Sequence, residues 1–213
     1  MNKPVQTRTL ETRAKLIEAA KAVVLASGYE GLRVEEVVRR AGVAKGTFFA
    51  HFKDKDVLMD QLIGARLKDI LDSISEGPQP RSALKMVQAL RPLIEFTTSE
   101  RYVYDVILRH SGAAGISEIG PIAKAFEQQF ILSQKWIANP ELNVRTDIPQ
   151  DLLAEGVGAF LIQAISLAFC ALHNSVTVED RLVPYLEAWI RCCLLYTSPS
   201  PRDLSTSRMP SSA

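Results

Sequence analysis

The sequence is short of cysteine. Of its 213 residues only Cys170, Cys192 and Cys193 are cysteines, an odd number with two adjacent and no CxxC spacing. That excludes a disulfide framework and a sequence-encoded zinc site. Reduced, buried thiols in a cytoplasmic protein are expected instead. Histidine is equally sparse: His51, His110 and His173 fall in no HExxH or comparable spacing, and neither a GxSxG elbow nor a P-loop occurs. The chain therefore offers no catalytic constellation, no metal site and no cofactor motif. Runs of alternating β-branched residues are missing, which removes the basis for a sheet. No apolar stretch opens the chain, so no signal peptide is expected. Net charge is nearly absent too, at +1, but that figure hides an asymmetry. Residues 1–53 carry ten Lys/Arg against five Asp/Glu, whereas residues 76–195 carry ten against thirteen. A basic N-terminal end on a mildly acidic body points to an anionic partner such as nucleic acid; a solvated basic face gives the same count.

What is present is helical periodicity. Residues 1–8 read as a mobile basic arm and 9–27 as a helix with Leu16, Ala20, Val23 and Val24 on one face, stopped by Gly28. Val34, Val37, Val38 and Ala41 mark a second helix, Gly42 interrupts it, a third spans roughly 44–52, and Asp54 caps a fourth running to about 74. The Ser75–Pro80 stretch reads as a linker. Beyond it, helices are expected near 81–98, 100–111, 118–137, 149–174 and 178–195, with Pro121, Pro140 and Pro149 at their margins. The fold class is all-α with about nine helices. A three-helix helix-turn-helix unit occupies 9–56 and a helical body 57–195. Residues 196–213 are rich in Ser, Thr and Pro without apolar periodicity, and read as a disordered, non-native tail.

Residues 28–58 concentrate the functional signal. Two short helices joined by a tight turn at Gly42 allow the second to lie in a DNA major groove. That helix opens with Lys45, Gly46 and Thr47, polar or small where base edges would be met, while Phe48 and Phe52 lie four apart and pack inward. Lys55 falls in the first turn of the fourth helix, where a cation opposes the helix dipole unless an anion such as a backbone phosphate sits beside it. A solvated lysine is the plain alternative.

As a set, Gly28-Tyr29, Ala41-Gly42-Val43, Lys45-Gly46-Thr47, His51-Phe52 and Lys55 with Leu58 resemble the DNA-binding domain of the tetracycline-repressor (TetR) family over residues 10–60, about a quarter of the chain. The resemblance implies a three-helix reading head on a larger helical domain that dimerises and binds a small molecule, with transcription repressed until that molecule arrives. It also implies that Lys45, Gly46, Thr47 and His51 face DNA and that Lys55 holds a phosphate. For His51, packing against the start of the fourth helix stays open. Two positions depart from the family pattern. Phe49 stands where a tyrosine hydroxyl usually reaches phosphate. Arg33 and Val34 replace the usual Thr or Ser cap, so that Arg33 offers a phosphate contact in its place.

In the body, residues 156–172 carry no charge. Glu155 and Gln163 within the apolar block, and the lack of a flanking Lys/Arg cluster, argue against a membrane span and for a buried helix. That helix and the last one, through Leu182, Leu186, Trp189, Ile190 and Leu194, are expected to form a homodimeric four-helix bundle. Phe96, Tyr102, Tyr104, Arg109, His110, Phe126, Phe130 and Trp136 are candidate walls for a small apolar or amphipathic effector, with plain core as the competing reading of each. Cys170 and His173 share a predicted helix face, but two ligands are too few for a closed metal site. The alternative to a regulator is a helical enzyme, or a membrane-associated binding protein, with no DNA role.

Overall fold

The computed structural model describes residues 3–111 and 119–191, with side chains from Thr7 onward. These residues carry nine α-helices: α1 (Lys3–Gly31), α2 (Val34–Ala41), α3 (Lys45–His51), α4 (Lys55–Glu76), α5 (Ala83–Thr97), α6 (Arg101–Ser111), α7 (Pro121–Ile137), α8 (Gln150–Ala168) and α9 (Val178–Ile190). One 3-10 turn occurs at Pro140–Leu142, and no strand is found among them.

Short polar side chains and prolines set most of the starts. Asp54 Oδ1 accepts the Val57 N–H at 2.9 Å ahead of α4, and Thr177 Oγ1 accepts that of Asp180 at 3.0 Å ahead of α9. Pro121 opens α7, and Pro149 immediately precedes α8. Pro92 and Pro184, by contrast, lie inside α5 and α9. The Ser75–Pro80 stretch belongs mostly to a loop that turns α4 into α5 within the body.

Several expectations need correction. Helix α1 begins at Lys3, so helix occupies most of the stretch read as an arm. Helix α8 ends at Ala168 rather than near 174, because the chain turns at Phe169 and again through residues 171–175. Cys170 and His173 therefore share no helix face; they lie in a turn in which the His173 N–H donates to the Cys170 carbonyl at 2.9 Å. Leu182, Leu186 and Ile190, assigned from sequence to a dimer seam, are at most 1% exposed inside the single chain. The reason is that α9 lies across α5 as well as α8. Cys192, Cys193, Leu194 and the 196–213 tail lie outside the described residues.

One apolar core runs from Leu16 of α1 to Ile190 of α9. Helix α4 is its spine. Near its start Leu58 and Met59 are wholly buried, and further along Leu67 and Leu71 join the body. Close packing of α4 on α7 depends on Gly64, where an added Cβ would lie 2.4 Å from Pro121 Cβ. Asp60, only 8% exposed, accepts the Ile122 N–H at 3.0 Å. It thereby caps α7, whose own N-cap is the side-chain-free Gly120. Helix α8 is long and apolar enough to cross a membrane, yet Leu153, Val157, Leu161 and Ile165 turn one of its faces into the core. Trp189 donates to the Leu153 carbonyl at 3.1 Å and tucks over Gly156, tying α9 to that helix.

Candidate nucleic-acid interface

The reading unit is built around two glycines with positive φ. Gly42 has φ 69° and ψ 34°, the left-handed conformation in which its N–H and that of Val43 close back on α2 at the carbonyls of Arg39 and Val38. Nothing lies within 4 Å of an added Cβ there, so the backbone conformation is what selects glycine. Val37 and Phe48 face inward from α2 and α3 and are fully buried, as is Phe52 just past the end of α3. The rings of Phe48 and Phe52 pack 5.4 Å apart. With that face held, Lys45 and Gly46 are exposed and Thr47 is half-buried at the start of α3.

The far end of α3 is held from α1. Arg13 donates to the His51 carbonyl at 2.7 Å, and its guanidinium stacks 4.3 Å from the Phe52 ring centroid. A cation on the last turn also complements the α3 dipole. His51 itself is half-buried, and Phe49 is 49% exposed with its ring edge-on to Phe48. Lys45 Nζ pairs with Glu35 on α2 at 2.6 Å, both well exposed, and this contact holds the Glu35 carboxyl below its ordinary pKa. An exposed pair of this kind is weak and exchangeable.

A second cluster forms where α4 begins. Arg33 precedes α2 in extended conformation and makes no side-chain cap; its guanidinium instead donates to the carbonyls of Glu30 and Leu32 at 2.8 and 3.2 Å. Lys55 Nζ stands 4.8 Å from the ring centroid of Tyr102 on α6. Burial, and then the charge of Arg33, push the Lys55 pKa below the usual lysine range against opposing pulls from Asp56 and Glu30. Two cations near one another beside a helix N-terminus make a site that an anion would relieve. Burial, with Asp56 adding to it, raises the Tyr102 phenol pKa.

The unit is clamped to the body through Glu100, the residue before α6. Its carboxylate accepts the N–H groups of Tyr29 and Glu30 at 3.0 and 2.9 Å. This works because Gly28 (φ 73°, ψ 173°) breaks the α1 helix and leaves no Cβ, which would lie 2.8 Å from Glu100 Oε1. Arg109, on the same helix α6, pairs with Asp56 at 3.3 Å. Arg13, Glu35 and Glu100 carry no local sequence pattern that marks them, because each acts through a partner distant in the chain or on another element.

A cavity of about 50 Å³ lies in the body where α4 to α8 meet. Of the eight candidate ligand residues, Tyr104 and Phe126 line it. Phe96 packs edge-on against Tyr29 at 5.9 Å, and Arg109 is engaged with Asp56. Trp136 is 2% exposed in the core, Phe130 packs partly buried against that core, and His110 is half-buried at the end of α6.

The family model for bacterial regulatory proteins of the tetR family matches residues 16–62, the stretch that carries this head and the start of α4. The transcriptional repressor DhaR of Mycobacterium sp. (strain GP1) is 33% identical over 158 residues, covering 67% of this chain and 75% of that protein. The chain belongs to the TetR family. Against three Bacillus subtilis (strain 168) regulators, the first of them the fatty acid metabolism regulator protein at 28% identity over 76 residues, the match spans 39%, 60% and 52% of their lengths, about half. The TetR-family fold extends over the whole body. RolR, solved with resorcinol, superposes with a TM-score of 0.62 at 19% identity, covering 97% of this chain and 98% of that one. The Thermus thermophilus FadR repressor, solved with lauroyl-CoA, gives 0.60 at 17% identity, covering 89% and 98%.

Proposed function

We propose that this protein is a sequence-specific, DNA-binding transcriptional regulator, a repressor that leaves its operator when a small effector binds the body. The observation that carries this reading is the α2–Gly42–α3 unit, whose buried Phe48 and Phe52 leave the Lys45-Gly46-Thr47 end of α3 open for a major groove. The likeness to the repressor DhaR supports the direction of control, and family membership favours a regulator over an enzyme.

Residues 9–56 act as the reading head and 57–195 as the sensing body. Lys45, Gly46 and Thr47 approach base edges, with Lys45 exchanging Glu35 for DNA, and His51 follows on the next turn. Arg33 and Lys55 take backbone phosphate. Phe49, lacking a hydroxyl, gives an apolar contact to sugar or a thymine methyl. Two copies pair through the outer faces of α8 and α9, where Leu152, Ala159 and Ala188 are exposed. Pairing sets the two α3 helices about 34–36 Å apart, or a multiple of that, on one face of a duplex. The assembly works in the cytoplasm without a membrane. To act as an inducer, the effector must prefer the DNA-free arrangement by about 1–3 kcal/mol.

Selection of the full chain against a library of random duplexes tests the reading, beside a Lys45→Ala/Thr47→Ala double variant. One palindromic motif, recovered by the parent and lost by the variant, is the expected result. No enrichment even at low salt, where phosphate attraction is strongest, would sink it.

A further inference from the structure

We propose that the effector is a small, uncharged hydrocarbon-like molecule about one ring in size, bound in the body cavity without any required hydrogen bond. This rests on the reading of the chain as an effector-controlled regulator and names the ligand class of that same site.

The wall makes the case. Leu71, Leu93, Ile107, Phe126, Leu161 and Ile165 supply most of it, and the surface it presents is almost all carbon. No charged side chain lines it among the described residues. Most of its polar side-chain groups already have protein partners. The Tyr104 hydroxyl lies 3.3 Å from the Ile162 carbonyl and also bonds Ser166 Oγ. The Thr97 hydroxyl donates to the Leu93 carbonyl at 2.8 Å. The Gln129 amide donates to Ser133 Oγ at 2.8 Å, and its Oε1 is turned toward Gly158. Gln129 Oε1 accepts no hydrogen bond from the described residues but is turned toward Gly158, and the cavity surface is almost all carbon, so a ligand hydroxyl entering here gains little and a carboxylate or phosphate would lose its hydration for nothing. A wall of this composition favours apolar guests over polar ones.

Size narrows the class further. The volume of about 50 Å³ corresponds to about four water-sized spheres. A single six-membered ring enters with modest side-chain adjustment, whereas a twelve-carbon chain would require the helices to part. Native cores hold few voids, and this one is placed to matter. Tyr104 on its wall belongs to α6, which also carries Tyr102 against Lys55 and Arg109 against Asp56 and follows directly on Glu100, the clamp on the head.

The test uses the full-length protein without DNA, by calorimetry and thermal shift, with toluene, phenol, benzoate and lauroyl-CoA as probes. Toluene is expected to bind and raise Tm. Phenol should bind about ten- to a hundredfold more weakly, because its hydroxyl goes unpaired. Benzoate and lauroyl-CoA should give no binding. Tyr104→Phe should leave toluene affinity unchanged, and Leu161→Phe, which fills the cavity, should abolish it. If the filled variant fails to fold, the four probes and Tyr104→Phe still decide. Absence of toluene binding, tighter binding of benzoate or lauroyl-CoA, or phenol binding that Tyr104→Phe removes would each overturn the assignment. A protein that selects an operator but ignores toluene loses this inference and keeps the regulator reading; one that binds toluene but selects no operator does the reverse.

Discussion

Lys55 is a lysine placed where lysine is electrostatically awkward: on the first turn of α4, partly buried over Tyr102, with Arg33 near enough to depress its pKa. A DNA phosphate arriving there favours the charged ammonium and raises that pKa again. Protein bound to DNA then holds a proton that free protein gives up in the window between the two values, so affinity falls as pH rises through that window. Fluorescence anisotropy on the selected operator at alkaline pH should record this fall. Lys55→Arg should flatten it, since a guanidinium stays charged throughout. A pH profile unchanged by the substitution would remove Lys55 from the phosphate contact.

Among the elements, α7 is the one whose position hangs on a single buried carboxylate. Asp60 reaches from α4 to cap the Ile122 N–H while Gly64, one turn along, lets Pro121 into contact. Asp60→Ala leaves that donor unpaired in the interior and should cost about 1–3 kcal/mol, read as a lower urea midpoint. A midpoint equal to the parent's would mean that α7 docks by apolar packing alone. Element boundaries of the commonest sort are legible in the sequence: Asp54 before α4, Gly42 after α2, Pro121 at the start of α7 and Pro149 before α8 each announce a boundary through their own chemistry. The open Lys45-Gly46-Thr47 end of α3 is legible for the same reason, since its exposure follows from a helix start and two inward phenylalanines. What could not be read were pairings made by folding. Glu100 meets Tyr29 from 71 residues away, and Arg13 meets His51 from 38. The cavity wall is legible in the sequence only in part, because aromatic residues do not mark it as a class. Phe96 and Trp136 go to ordinary packing, and beside Tyr104 and Phe126 the wall is mostly leucines and isoleucines that any core would use.

For the molecule as a whole, continuity of the core means that head and body share one folding transition. Leu16, Phe48 and Leu58 belong to the same buried cluster as Leu161 and Leu186, and the Glu100 clamp adds polar ties across the joint. Urea unfolding followed by Trp136 and Trp189 fluorescence, which reports the body, should coincide with unfolding followed by amide exchange in α2 and α3. A head that melts first by a separate transition would show that the joint is looser than the packing implies.

The same joint restricts how such a protein can be recombined. A reading head cannot be exchanged at a flexible seam, because none separates α3 from α4: the chain passes through Phe52, wholly buried, and directly into the capped start of α4. A chimera spliced there would have to present its own backbone N–H groups to Glu100, a position on the far side of the splice, in place of those of Tyr29 and Glu30, or be left with bare amides and an unpaired carboxylate. With α3 as the proposed reading helix, new DNA specificity in this scaffold is reached more easily by changing residues on its open face than by shuffling modules.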